Sequence, residues 1–199
     1  MVNNKVIGIV GSYRKDGVID SVITEILANA AKKGAETEKI YLKDSQIEFC
    51  TNCRKCTQNE GLERGECIIK DDMESILDRI DSSNYLVIGA PVNFGNINAL
   101  TQKFVERCVG YAYWPWGEIP KIRNKIKTKK AILVSASAAP AWMGRMLTRT
   151  IDSLKTLADL FGAKTIGVIW VGLVNKEQMQ LSEKTIQKAK RLTEKLIAA

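Results

Sequence analysis

The chain alternates short apolar runs with longer stretches of helical spacing. Lys5 to Val10 (KVIGIV) is a compact run rich in β-branched residues, which predicts a buried strand. From Val18 to Lys33 the apolar positions Val18, Val22, Ile23, Ile26, Leu27 and Ala30 keep one helical face. Gly34 ends that run as a C-terminal cap does. Glu36 to Leu42 reads as a second strand, and irregular chain follows from about Lys43 to Lys70. Asp71 and Asp72 then cap a helix whose stripe is Met73, Ile76, Leu77 and Ile80. Tyr85 to Ala90 predicts a third strand, and a helix follows over about Asn98 to Gly110. Lys130 to Ser135 is a fourth strand. Met143 to Phe161 reads as one helix, with Met146, Leu147, Ile151, Leu154 and Phe161 on a shared face. Thr165 to Val171 is the fifth strand, and an amphipathic helix closes the chain over roughly Ser182 to Ala198.

Five apolar strands separated by helices predict an α/β fold, a doubly wound parallel sheet covered on both faces. Such sheets bind ligands at the carboxyl ends of the strands, near the switch in strand order. The loops after strands one, three and four therefore carry the candidate chemistry.

Composition narrows the classes. At 199 residues, 45% hydrophobic and 26% charged, residues 1–199 are expected to form one globular domain. It would carry a cysteine-rich insertion at about 43–70 and an aromatic and basic insertion at about 110–129. No apolar run approaches the ~18 residues that span a bilayer. Met1 to Lys5 lacks the layout of a signal peptide, so the expectation is a soluble cytoplasmic protein. Histidine is absent, which removes Ser-His-Asp and Cys-His catalysis and any imidazole metal site. An enzyme built this way would leave its chemistry to a cofactor. The net charge of +8 suits anionic partners, but nucleic acid is not indicated because no recognised binding motif is present.

The first loop, Gly11-Ser12-Tyr13-Arg14-Lys15-Asp16-Gly17, runs from a strand into a helix. Backbone N–H groups at a helix start, joined by Ser12 and Arg14, form an anion site. The bland alternative is a Gly-Ser turn with an exposed arginine. The third-strand loop, Pro91-Val92-Asn93-Phe94-Gly95-Asn96, offers amides, a flat apolar ring and an open backbone, which suits a flat, partly polar guest. Its bland alternative is a tight turn capped by Asn98.

Taken together, GS-x-R after strand one, the cysteine cluster, CIIKDDMESILDRI and APVNFGNINALTQKFVERC resemble the NADPH-dependent FMN reductase and iron–sulfur flavoprotein group of the flavodoxin-like superfamily. Phe104, Glu106 and Arg107 match the group's helix-end pattern. The resemblance implies a flavodoxin-like sheet of order 2-1-3-4-5. It implies FMN with its phosphate on Ser12, Arg14 and Gly17. It implies an isoalloxazine ring against Pro91, Val92, Asn93, Phe94, Gly95 and Asn96, with a third contact loop bearing Ser135 and Ser137. Where the group has Asn-Thr after the glycine this chain has Val18-Ile19, so Ser21 is the residue to replace the missing hydroxyl.

Cys50, Cys53, Cys56 and Cys67 follow the spacing C-x2-C-x2-C-x10-C. Three readings stay open: a [4Fe–4S] cluster, free or redox-active thiols, and a four-thiolate zinc site. Cys108 reads as a small buried hydrophobe. Tyr111, Tyr113, Trp114 and Trp116 form either a lid over local core or a wall of the flavin pocket or of a subunit interface, the latter implying a homodimer or homotetramer. Lys121 to Lys130 holds six basic residues, read as a solvated loop or as an attractor for the NADPH 2′-phosphate or an acidic carrier. The basic face of the last helix (Lys184, Lys188, Lys190, Arg191, Lys195) reads as plain amphipathicity.

Three functions compete. The first is an NAD(P)H-dependent FMN oxidoreductase that passes electrons to a small-molecule or protein acceptor. The second is an electron-transfer module fed by ferredoxin, and the third a regulatory protein that keeps only the fold.

Overall fold

In the computed structural model, residues 4–176 and 180–198 are described. Met1, Val2 and Asn3, on which the reading of the N-terminus rests in part, lie outside them. The core is a parallel sheet of β1 (Lys5–Val10), β2 (Glu36–Tyr41), β3 (Tyr85–Asn93), β7 (Lys129–Ala136) and β8 (Ala163–Val171). Its order is β2-β1-β3-β7-β8, the expected 2-1-3-4-5 once the two-residue strands are set aside. Those are β4 (Asn96–Ile97), antiparallel to the end of β3, and the hairpin of β5 (Ala112–Tyr113) and β6 (Lys121–Ile122).

Strand pleating divides the sheet's side chains between two cores. One core joins Val6, Val10, Val87, Ile132, Val134 and Ile169 to α1 (Val18–Ala31) and α6 (Glu183–Ile197). The other joins Ile7, Ile9, Leu86, Ile88, Ala131 and Leu133 to α2 (Asp72–Asp81), α3 (Ala99–Arg107) and α5 (Thr150–Leu160). Gly8 permits the closest approach of α1, because a Cβ there would stand 2.6 Å from Ile23 Cγ2. Asp71 caps α2 by accepting from the Met73 N–H, and Asn98 caps α3 by accepting from the Thr101 N–H.

Three expectations need correction. The single helix over 143–161 is two, α4 (Ala141–Leu147) and α5, with Thr148 extended between them. The Thr148 hydroxyl takes the Gly144 carbonyl, and the Arg149 N–H leaves the helix ladder to bond Gly95 O at 2.8 Å. Met146 and Leu147, expected on the buried face, are 69% and 65% exposed. The helix after β3 ends at Arg107 and tightens into a 3₁₀ turn over Cys108–Tyr111. Among the described residues, no helix is long and apolar enough to cross a membrane.

Candidate functional site

The loops after β1, β3 and β7 meet at one rim of the sheet, as the strand order requires. The first is locked from both sides. Gly11 N–H donates to Gly89 O (2.8 Å), and Gly11 O accepts from Asn98 Nδ2 (2.8 Å) and Thr101 Oγ1 (3.0 Å). A Cβ on Gly11 would lie 2.2 Å from Thr101 Oγ1, so only glycine fits. Ser12 is buried, and its Oγ accepts from the Arg14 N–H, leaving the hydroxyl proton free to donate. Gly17 is the N-cap of α1 and supplies no side-chain cap, so the helix start keeps unsatisfied donors. Asp20 does not line the rim cavity; its carboxylate accepts from the Asp16 N–H and ties the first loop to Lys39 and Tyr41. Burial opposes its ionisation, but Lys39, the Asp16 N–H and Tyr41 outweigh that and hold its carboxyl below the ordinary value.

A cavity of about 290 Å³ opens beside this helix start. Ser12, Arg14, Gly17, Pro91, Val92, Asn93 and Ser137 line it, together with Tyr13 and Val174. Five other expected contacts stand outside that lining. Ser135 is buried, and its hydroxyl donates to Ala90 O at 2.9 Å, pinning β7 to β3. Asn96 Oδ1 accepts from the Ile97 N–H and from Ser153 Oγ, both at 2.8 Å, and braces the turn. Phe94 (φ +47°) and Gly95 (φ +79°) form a two-residue hairpin turn between β3 and β4. Phe94 holds that strained conformation while its ring is fully exposed. Ser21, on α1, gives its N–H to Gly17 O. Val174, which sequence reasoning missed, reaches the cavity because its N–H bonds Ser137 O (3.1 Å), a contact with no local sequence signal.

Cys50, Cys53, Cys56 and Cys67 all line a second, small cavity of about 20 Å³. Asn52 (φ +52°) and Arg54 (φ +59°) adopt left-handed conformations that wrap the backbone around the thiols. The Asn52 N–H donates to Cys50 Sγ (3.4 Å), and the Lys55 N–H helps to hold the Cys53 thiol below its ordinary pKa. Arg107 Nη2 donates to Cys67 Sγ (3.6 Å). Burial, reinforced by the charges of Cys67, Cys50 and Cys53, pushes the Cys56 thiol up to about 11, so the four sulfurs feel one another. Among the described residues, no group of three or more His, Cys, Asp or Glu side chains is placed to hold a metal ion. Cys108 is wholly buried, and burial raises its thiol pKa strongly.

Arginines hold the cysteine segment in place. Arg54 lies between Trp114 and Trp116, 3.7 and 4.0 Å from the ring centroids, and bonds Trp114 O. Arg123 donates to the carbonyls of Gly110, Asn59, Gly61 and Cys56. Arg64 grips Glu74, Asp78 and Asp81. Trp114 and Trp116 therefore pack on the cysteine segment through Arg54, Tyr111 packs edge-on against Phe161 of the core, and none of the four rings lines the larger rim cavity. The basic run 121–130 is spent largely on internal partners: Lys127 on Asp159, Lys129 on the carbonyls of Asp81 and Ser83, and Lys130 on Ala198 O.

A family model described as NADPH-dependent FMN reductase matches residues 4–178. An iron-sulfur flavoprotein of Archaeoglobus fulgidus is 31% identical over 121 residues, covering 61% of this chain and 50% of that one. An iron-sulfur flavoprotein of Methanocaldococcus jannaschii is 36% identical over 103 residues, covering 52% and 51%. The matched stretch spans about half the length of these curated relatives. Among solved structures, an azoreductase from Bacillus anthracis superposes with a TM-score of 0.70 at 13% identity, over 96% of this chain and 99% of that one. An NAD(P)H:quinone oxidoreductase from Methanothermobacter marburgensis does so at 0.68 and 16%, over 96% and 98%.

Proposed function

The chain belongs to the NADPH-dependent FMN reductase family, and from that premise we propose that it binds FMN at the sheet rim and oxidises NAD(P)H, passing electrons to a small-molecule or protein acceptor. The observation that carries this reading is the uncapped start of α1 facing a cavity closed by the β1, β3 and β7 loops. The donors there suit a phosphate, because the helix dipole and free N–H groups favour an anion and Ser12 adds a hydroxyl. Arg14 supplies an exposed guanidinium at the mouth. Pro91, Val92 and Asn93 form a wall of mixed polarity suited to one face of a flat ring, and the tight Phe94–Gly95 turn fixes that wall. Bound FMN would accept a hydride and release electrons, so no acid–base side chain is required, in keeping with a chain without histidine. We extend the proposal to Phe94, Gly95, Asn96 and Ser135 as residues that shape or brace the flavin loops, and to Ser21 only as part of the α1 helix start behind the phosphate, through its N–H to Gly17 O. The test is titration with FMN followed by NADH and NADPH oxidation assays. Stoichiometric FMN binding with turnover is expected, and absence of FMN binding overturns the reading.

A second reading concerns the thiols. We propose that Cys50, Cys53, Cys56 and Cys67 hold a [4Fe–4S] cluster, making the chain an electron-transfer partner for a ferredoxin-like carrier. Four thiols on one cavity, with N–H groups aimed at sulfur, are the donor set such a cluster takes. About four irons and four sulfides per chain after anaerobic preparation are expected; none would overturn the cluster and leave free thiols or a zinc site. The reading also takes residues 1–199 as a single cytoplasmic domain working as a homodimer or homotetramer, with exposed Phe94, Trp142, Met146 and Leu147 as contact surface.

A further inference from the structure

Two arginines reach the cysteine cavity with a hydrogen-bond donor left over. Arg54 and Arg107 both line that cavity. They are buried, at 9% and 3% exposure, and in each the Nε–H has no partner among the described residues. A guanidinium stays charged in a protein, and a buried N–H without an acceptor costs free energy. The charge of Arg107 is matched by Asp71, whose oxygens it grips at 2.5 and 3.1 Å. The charge of Arg54 is not matched: among the described residues it has no ion-pair partner. Its Nη2 donates to neutral groups, the carbonyls of Trp114 (2.5 Å) and Pro115 (3.1 Å). The indoles of Trp114 and Trp116 stack against the guanidinium and keep water from it.

The backbone adds a second observation. Arg54 is left-handed (φ +59°), a conformation that glycine or asparagine takes at lower cost. An arginine held there answers to its side chain, not to the turn. A buried cation without a carboxylate needs another source of negative charge. Cys50, Cys53, Cys56 and Cys67 line the same cavity and supply that charge when they ligate as thiolates. We propose that Arg54 is the countercation of the cysteine centre, and that its charge and free Nε–H raise the centre's reduction potential. The proposal rests on the cluster reading. An added electron makes such a centre more negative, and a desolvated cation beside it stabilises the reduced form more than the oxidised one. Arg107, already neutralised by Asp71, contributes a hydrogen bond to Cys67 Sγ (3.6 Å) but no net charge.

The test is a one-electron titration of the anaerobic full chain with dithionite, read by electron paramagnetic resonance of the reduced centre beside iron and sulfide analysis. The centre gains one electron from dithionite, and no bond forms or breaks. Arg54→Gln should make reduction about tenfold less favourable, the lower range for a lost hydrogen bond to a charged group, which moves the midpoint down by about 59 mV. Arg54→Lys keeps the charge and loses the Nε–H, so its change should be about threefold or less. A merely structural arginine would alter the melting temperature and leave the midpoint in place. An unmoved midpoint in Arg54→Gln with iron retained overturns the proposal, as does a shift in Arg54→Lys as large as that in Arg54→Gln. If Arg54→Gln loses its iron, Arg54→Lys decides: iron retained at a midpoint within about threefold of wild type supports the countercation, and iron lost again overturns it. A wild-type chain free of iron and sulfide would defeat the cluster reading and this proposal with it. Wild-type iron with unmoved variants would defeat this proposal alone.

Discussion

The guanidinium of Arg107 donates to the sulfur of Cys67 across 3.6 Å from a position with no solvent exposure. Arg107 is the last residue of α3, and the first turn of the same helix holds Gly11 through Asn98 and Thr101. A helix of nine residues is about 13 Å long. One rigid rod therefore ties the phosphate loop to the cysteine centre, and the relative placement of the two proposed redox sites is set by α3.

Arg107→Gln should destabilise the fold by about 3–5 kcal/mol, because it strands the buried Asp71 carboxylate, which Arg107 grips at 2.5 and 3.1 Å. Asp71 also caps α2 and accepts from the Glu48 N–H, so the loss spreads to the entry of the cysteine segment. Chemical denaturation measures the change. A loss under about 1 kcal/mol would place Arg107 among ordinary surface pairs.

Stability should fall steeply only in acid. Burial opposes ionisation of Asp71 as of Asp20, but Arg107 and two backbone N–H groups outweigh it, and both carboxyls are held below the ordinary 3.8. A depressed carboxyl contributes stability that is present above its unfolded pKa and lost as pH falls through the folded one. The unfolding free energy should thus hold steady from neutral pH to near the ordinary carboxyl value of 3.8 and decline below it. Asp20→Asn should flatten the decline while lowering stability at neutral pH, since Lys39 loses its partner. Denaturation midpoints across an acid pH series measure both.

The sheet was readable from the sequence because strands buried on both faces need continuous β-branched runs, and Lys5–Val10 and Tyr85–Ala90 are such runs. The rim was readable for the same reason, since strand order dictates where loops converge. The break at Thr148 was not readable: the apolar spacing of Met146, Leu147, Ile151 and Leu154 is unbroken, and only the distant Gly95 carbonyl diverts the Arg149 N–H. Nor did sequence distinguish the two basic stretches. The occupation of the 121–130 run depends on carbonyls far along the chain, and the cations of α6 are set apart by their facing Trp170 and Arg145.

Gly65→Ala should uncouple the two proposed centres. A Cβ at Gly65 would sit 1.7 Å from Cys56 O, and Gly65 N–H bonds Gly110 O where the two backbones cross. The clash is with backbone and cannot be relieved by a rotamer change, so the chain carrying Cys67 must shift away from the other three cysteines. A cost of about 1–3 kcal/mol is expected. Iron retention should be lost while FMN affinity, set at the sheet rim, stays within about twofold. Iron analysis beside an FMN titration reads both, and retained iron in this variant would mean that Cys67 is dispensable to the centre.

Ser12→Ala should weaken FMN binding by about tenfold, the lower range for a lost hydrogen bond to a charged group. The Ser12 hydroxyl is buried on the cavity wall and its proton is uncommitted, so alanine removes a donor and fills no space. Ser21→Ala separates geometry from resemblance. The likeness assigns Ser21 to the phosphate, but the residue lies outside the cavity lining, behind a helix start that already faces the anion through its own N–H groups. FMN affinity in Ser21→Ala should therefore change by less than about twofold. A loss comparable to that of Ser12→Ala would show that the phosphate sits one turn deeper along α1 than the cavity places it, and would move the isoalloxazine wall away from Pro91–Asn93 accordingly.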